Sequence, residues 1–349
     1  MRTELRFIDP CAPHAYARDA DLRGLGGTEA TLLRIAVALA GNGAVTVEQA
    51  ARHSPAMRGE IAFLPMDLTR QAGSTIIVIN SWKVALICAR RNPGARIWVW
   101  QHVFPGRHNR VLAPDMAAAG IGIICVSESH AAMVRALLGG QVEVLAIPNP
   151  IADDLHPDAT PRDPDLLFFA SSPHKGLDQV LAAFATLRET LPGLRLELAD
   201  PGYLVCDSGV MPPGVVVLGT LSRAEVIARM RRALCLFYPQ WRFEETFGLV
   251  IAEANAVGCP ALVHRGLGAN DEVTWDASQR IDATSPHQIA ARIAAWRSAP
   301  PLVSLWPRFR FSAVLAQWVA LLAPGASASP FASAPARPAP ARHLSEASA

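Results

Sequence analysis

Residues 237–263 read Phe237-Tyr-Pro-Gln-Trp-Arg-Phe-Glu-Glu-Thr-Phe-Gly-Leu-Val-Ile-Ala-Glu-Ala-Asn-Ala-Val-Gly-Cys-Pro-Ala-Leu-Val263. The apolar run 234–238 stops at Pro239, which predicts a short buried strand. Residues 247–257 have helix length and are rich in Ala. Gly258 supplies the stop, with Pro260 behind it, and 261–264 turn apolar again. Strand, loop, helix, strand is a βαβ unit of a parallel sheet.

Two carboxylates stand in this unit, Glu245 and Glu253, with seven residues between them. Glu245 falls in the loop at the carboxyl end of the strand, where open α/β sheets bind ligands. Gly248 lets backbone approach a ligand, and the N–H groups of Phe247, Gly248 and Leu249 can face an anion at the helix start. Glu253 lies inside a mostly apolar helix. A lone Glu there reads as a solvated side chain. Together with Phe247-Gly248-Leu249 and Gly258-Cys-Pro260, it reads instead as a carboxylate accepting hydrogen bonds from vicinal hydroxyls, such as those of a ribose.

This combination resembles the E-x7-E signature of the retaining GT-B glycosyltransferases of family 4 (glycosyl transferases group 1). The resemblance implies that Glu245 lies beside the donor sugar and that Glu253 binds the ribose of a sugar nucleotide. It also implies that the backbone of Thr246, Phe247, Gly248 and Leu249 holds sugar and diphosphate.

Upstream, 166–170 predict another strand, followed by Ser171-Ser172-Pro-His-Lys175-Gly176 and a helix to about residue 190. Lys175 at a strand-to-helix turn can neutralise a diphosphate, and Gly176 permits close approach. The segment resembles the R-x4-K-G element of the same family, except that Ala170 stands where the Arg would be. Ser171 and Ser172 are candidate phosphate donors in its place, and Arg242 is a candidate for the missing charge. Near the amino terminus, Gly24-Leu-Gly26-Gly27-Thr28-Glu29 precedes a helical pattern over 31–40, with Thr28 as candidate N-cap. It is not a G-x-G-x-x-G fingerprint, because Glu29 occupies the last position. It resembles the family's Gly-Gly-x-Glu loop, near diphosphate and acceptor. His102 follows the strand 97–100 directly, at a ligand edge; the resemblance places a His near the donor phosphate there, with His108 as the alternative. Tyr203 either stacks on a base or packs.

The alternation of strands and helices predicts an α/β chain: GT-B, two Rossmann-like domains with parallel sheets facing across a cleft. The first domain spans 1–152 on the acceptor side, with 153–165, rich in Pro and Asp, as linker. The donor-binding domain spans 166–300, and a helix within 301–323 returns to the first domain. The tail 324–349 is Ala, Pro and Ser and predicts disorder. Ser127 and Ser222 are expected N-caps, the latter with Glu225 in a capping box.

Composition narrows the function classes. The chain has 349 residues, 51% of them hydrophobic, and a formal charge of +2, so no basic field points to nucleic acid. Lys83 and Lys175 are the only lysines. Six scattered cysteines without a C-x-x-C pair predict a reducing compartment, the cytoplasm, and no structural zinc. No run is long enough to span a bilayer, which leaves peripheral membrane contact open. Asp19-Ala-Asp21 and Asp163-Pro-Asp165 match D-x-D by a pattern common by chance, so no metal and no cofactor is expected. The expected activity is transfer of a sugar from a nucleoside-diphosphate sugar to an acceptor whose identity the motifs leave open, such as a surface polysaccharide or glycolipid precursor. A non-catalytic sugar-nucleotide-binding subunit and a GT-B epimerase are the alternatives. Nothing in the sequence fixes an oligomeric state.

Overall fold

The computed structural model describes residues 4–22, 25–70, 74–200 and 211–323. Arg23 and Gly24, Tyr203 and the tail 324–349 lie outside the described residues, and so do the expectations placed on them.

The chain opens with β1 (Glu4–Asp9), α1 (Gly27–Leu39), β2 (Ala44–Gln49), β3 (Ala56–Arg58), β4 (Ile61–Pro65) and β5 (Thr75–Ile79). It continues with α2 (Trp82–Arg91), β6 (Arg96–Gln101), α3 (Ala113–Ala118), β7 (Gly122–Cys125), α4 (Glu128–Leu138) and β8 (Val144–Ala146). Among the described residues these strands form one sheet in the order β3-β4-β2-β1-β5-β6-β7-β8, parallel except for β3 against β4. A second set follows: β9 (Asp163–Ala170), α5 (Leu177–Thr190), β10 (Arg195–Asp200), β11 (Val215–Thr220), α6 (Arg223–Arg232) and β12 (Ala233–Tyr238). It ends with α7 (Leu249–Ala256), β13 (Ala261–His264), α8 (Asn270–Val273), β14 (Arg280–Ile281), α9 (Pro286–Ser298) and α10 (Phe311–Leu322). These strands form a parallel sheet in the order β11-β10-β9-β12-β13-β14. The result is the GT-B architecture of two parallel sheets in Rossmann-like domains.

Strands β5, β7 and β12 are buried along their whole length, as sheets covered on both faces require. The helix α10 lies on the first sheet. The Trp318 ring sits 4.6 Å from that of Trp100, and Arg96 Nη1 donates to the Leu321 carbonyl at 3.0 Å.

Three local expectations are corrected. The first helix starts at Gly27, with Gly26 as N-cap rather than Thr28; the Glu29 carboxylate reaches back to the Gly26 N–H at 3.0 Å and satisfies it. Helix α7 starts at Leu249, two residues later than the pattern predicts, because Gly248 takes φ +87° and cannot be a helical residue. Strand β9 starts at Asp163, inside the stretch read as linker. Asp163 and Asp165 pair with Arg195 and Arg297, so their charge does not keep the segment out of the sheet. Ser127 and Ser222 cap α4 and α6 as expected.

Candidate active site

In the second sheet the strand order reverses between β9 and β12, so the loops leaving them diverge and leave a crevice. Lys175 lies on the loop after β9 and Glu245 on the loop after β12. Lys175 Nζ is 3.0 Å from both Oε1 and Oε2 of Glu245. The Tyr238 hydroxyl donates to Oε1 at 2.9 Å, and Glu245 is 5% exposed. Burial, then the charge of Glu245, pushes the Tyr238 phenol well above its ordinary value, so it keeps its proton as a donor. The Lys175 ammonium also stands 4.7 Å from the centre of the Phe243 ring. From behind, the Ala269 N–H donates to the Glu245 carbonyl at 2.9 Å, and Gly268 presses so close to that backbone that a side chain would collide with it.

Glu253 lies further along the same wall, on α7. Arg223, at the start of α6, reaches its Oε1 through Nη2 at 2.9 Å and Nε at 3.0 Å. Arg34 of α1 approaches the pair from the first domain. Burial and then Arg223 lower its pKa, and Glu253 opposes both. Between the two carboxylates stands the amino terminus of α7, whose first N–H groups have no partner within the helix.

The opposite wall comes from the first sheet. His102 follows β6; its ring lies 4.6 Å from that of Trp100. Burial, reinforced by nearby His130, holds its imidazole at about 3, so it is neutral at pH 7. The His102 backbone N–H donates to Asn80 Oδ1 at 2.6 Å; Asn80 itself has φ +55°. His102 Nε2 and Asn149 Oδ1 are both buried and have no partner among the described residues. Gly27 comes so near α7 that a Cβ there would meet Leu249 Cδ1 at 2.5 Å.

Hydrogen bonds join the walls at Thr246. The Thr246 hydroxyl donates to the His102 carbonyl at 2.8 Å, and the Ser127 hydroxyl donates to the Thr246 carbonyl at 2.6 Å. Below them the Glu272 carboxylate accepts from the N–H groups of Glu128 and Ser129 at 3.1 and 2.8 Å, and from the Ser129 hydroxyl at 2.8 Å. A carboxylate at the start of α4 suits the helix dipole.

The cleft between the walls measures about 390 Å³. Gly26, Gly27 and His102 line one side; Ser171, Lys175, Glu245 to Leu249 and Glu253 line the other. Four expected residues lie off it. Ser172 is buried, and its carbonyl accepts from the Lys175 N–H at 2.9 Å. Gly176 has φ +86° and backs onto Gln240, so its freedom serves the turn and its packing. Arg242 is 70% exposed and pairs with Asp178 at 3.0 Å, so it does not replace the charge missing at Ala170. His108 is exposed in the turn Arg107–Leu112, away from the cleft. Conversely, Arg34, Asn149 and Arg223 line the cleft without having been singled out from sequence. Asn149 alone had a signal, its place between Pro148 and Pro150 at a strand's end.

The D-x-D pairs are tied up structurally: Asp21 Oδ2 accepts from the Ala17 and Arg18 N–H groups, and Asp163 binds Arg195. Among the described residues no cluster of three or more His, Cys, Asp or Glu side chains forms, the cysteines are free, and no helix is long and apolar enough to cross a membrane.

Residues 159–304, less than half of the chain, match the family model described as Glycosyl transferases group 1. A comparison with curated proteins finds no match. Among solved structures, a sucrose-phosphate synthase from Thermosynechococcus elongatus has a TM-score of 0.70 at 15% identity, over 92% of this chain and 98% of that one. HepE from Anabaena, in complex with UDP and glucose, has a TM-score of 0.61 at 14% identity, over 92% and 99%. The lipopolysaccharide outer core galactosyltransferase WaaB, in apo form, has a TM-score of 0.62 at 11% identity, over 90% and 98%. At such identities the likeness is one of fold, and it extends over both sheets.

Proposed function

We propose that the chain is a retaining, metal-independent glycosyltransferase that moves a hexose from a nucleoside-diphosphate sugar to an acceptor hydroxyl. The observation that carries this reading is the joining of Lys175 and Glu245, at 3.0 Å, at the switch point of the second sheet, with Glu253 on the same wall. The family match supports transfer, and the bound UDP and glucose of the HepE structure support the donor class.

In this reading the bond from sugar C1 to the diphosphate oxygen breaks, and its electron pair leaves with the diphosphate. Lys175 and the first N–H groups of α7 carry the growing negative charge. Glu245 positions the sugar or faces the positive charge developing at C1. Glu253 exchanges Arg223 for the ribose hydroxyls. His102, neutral, offers hydrogen bonds to sugar or phosphate. The acceptor oxygen bonds C1, and its proton passes to the departing diphosphate oxygen. Closure of the two walls on the donor would keep water from hydrolysing it. A polysaccharide or glycolipid precursor at the cytoplasmic face is the acceptor class we favour, in line with WaaB.

Ala170 on the cleft wall favours one second reading, a subunit that binds the sugar nucleotide without transfer. Thermal unfolding against UDP, GDP, ADP and NAD tests both. A ligand present at about 100 times its dissociation constant raises stability by roughly 2.7 kcal/mol. A shift with UDP or GDP that vanishes in Glu253→Ala supports the sugar-nucleotide site, and donor turnover with mixed acceptors then separates enzyme from binding subunit. A shift with NAD alone overturns both.

A further inference from the structure

We infer that Ser127, on the first domain, is a positioning residue for Glu245, on the second, so that the acid's loop is set only when the walls meet. The inference rests on the transferase reading for what Glu245 does, though not for the coupling itself.

Ser127 is fully buried and makes two hydrogen bonds of different kinds. Its oxygen accepts from the His130 N–H at 3.0 Å, as the N-cap of α4. Its proton goes to the Thr246 carbonyl at 2.6 Å. The cap fixes where the oxygen sits and leaves the hydroxyl proton a single direction. The receiving peptide is the one joining Thr246 to Phe247, next to Glu245. The Thr246 hydroxyl in turn donates to the His102 carbonyl. One residue of the loop is therefore held through its carbonyl and its hydroxyl by the opposite domain.

The rest of the Glu245 loop is held within its own domain. The Ala269 N–H binds the Glu245 carbonyl, and Ala269 precedes α8, which carries Glu272. Glu272 seats on the N–H groups of Glu128 and Ser129, next to Ser127. The amino terminus of α4 thus grips the loop directly through Ser127 and its support through Ser129. Separation of the walls releases both grips together, and the carbonyl and hydroxyl of half-buried Thr246 lose their partners. Binding groups for the nucleotide, Glu253 and Lys175, belong to the second domain and stay in place. The coupling therefore acts on turnover more than on donor affinity.

The test compares Ser127→Ala, Ser127→Thr and Thr246→Val with the full-length parent, by hydrogen–deuterium exchange over 243–250 and by turnover of UDP- and GDP-sugars. Loss of the hydroxyl in Ser127→Ala is expected to speed exchange over 243–250 and to lower kcat about tenfold with KM for donor little changed. Ser127→Thr restores both, and Thr246→Val repeats the effect without touching the α4 cap. Faster exchange confined to α4, with 243–250 unchanged, overturns the inference, because Ser127 is then a cap only. A proportionate rise in KM without loss of kcat overturns it as well. Faster exchange over 243–250 in Ser127→Ala, with a parent that turns over no sugar nucleotide, upholds the coupling and removes the transferase reading.

Discussion

At the scale of single residues, the cleft is organised by two carboxylates that each already hold a cation. Glu245 is neutralised by Lys175 and hydrogen-bonded by Tyr238, while Glu253 holds Arg223. Glu245→Gln keeps the shape and removes the charge that fixes Lys175. Donor turnover is expected to fall by about a hundredfold or more, with the nucleotide-induced thermal shift retained; unchanged turnover removes Glu245 from the chemistry. His102 and His130 make a different demand. Burial holds them at about 3 and about 4, below an ordinary value near 6.5, so the unfolded chain binds more protons between those limits. Their contribution to stability is complete above about pH 6.5 and is lost as pH falls through the acid range. Melting temperatures between pH 7 and 4 should drop along a limb that His102→Phe flattens. The glutamates were legible because spacing and neighbours lie in one short stretch. Arg34 and Arg223 were not, because each meets the cleft only once two distant parts of the chain have folded onto it.

At the scale of elements, glycine decides where α1 and α7 can stand. Gly27 sits against Leu249, and a methyl at residue 27 would occupy the space of Leu249 Cδ1. Gly27→Ala is therefore expected to weaken nucleotide binding, with recovery in Gly27→Ala/Leu249→Ala; failure of the second change to restore the thermal shift shows that the contact is not what matters. Gly248, at φ +87°, precedes α7 as its N-cap in a conformation that costs other residues roughly 1–2 kcal/mol. The sequence pattern placed these helices correctly and misjudged their first residues. Helix periodicity runs on through a cap, and only the backbone angle shows where the helix begins. The same holds for β9: Pro and Asp argue for a linker until Arg195 and Arg297 are seen to neutralise the acids.

At the scale of the molecule, the two sheets are tied by α10 and by the contacts across the cleft. Trp318 is fully buried against Trp100. Trp318→Ala is expected to cost about 3–5 kcal/mol, read as a lower midpoint in denaturant unfolding, and a change within error would show that α10 is dispensable to the first sheet. The alternating order of elements made both sheets readable in advance, since parallel strands demand crossovers. Strand order, and with it the switch point that puts Lys175 beside Glu245, came only from the register of β9 against β12.

The ion pair of Lys175 has a practical side as well. In 349 residues only Lys83 and Lys175 carry side-chain amines. Lys83 is exposed on α2, and Lys175 lies in the cleft, 23% exposed and bound to Glu245. To an acylating reagent the side chains therefore offer one open target and one guarded one. Surface attachment through Lys83 gives a nearly uniform orientation, and the extent of acylation at Lys175 becomes a direct gauge of whether the cleft is filled.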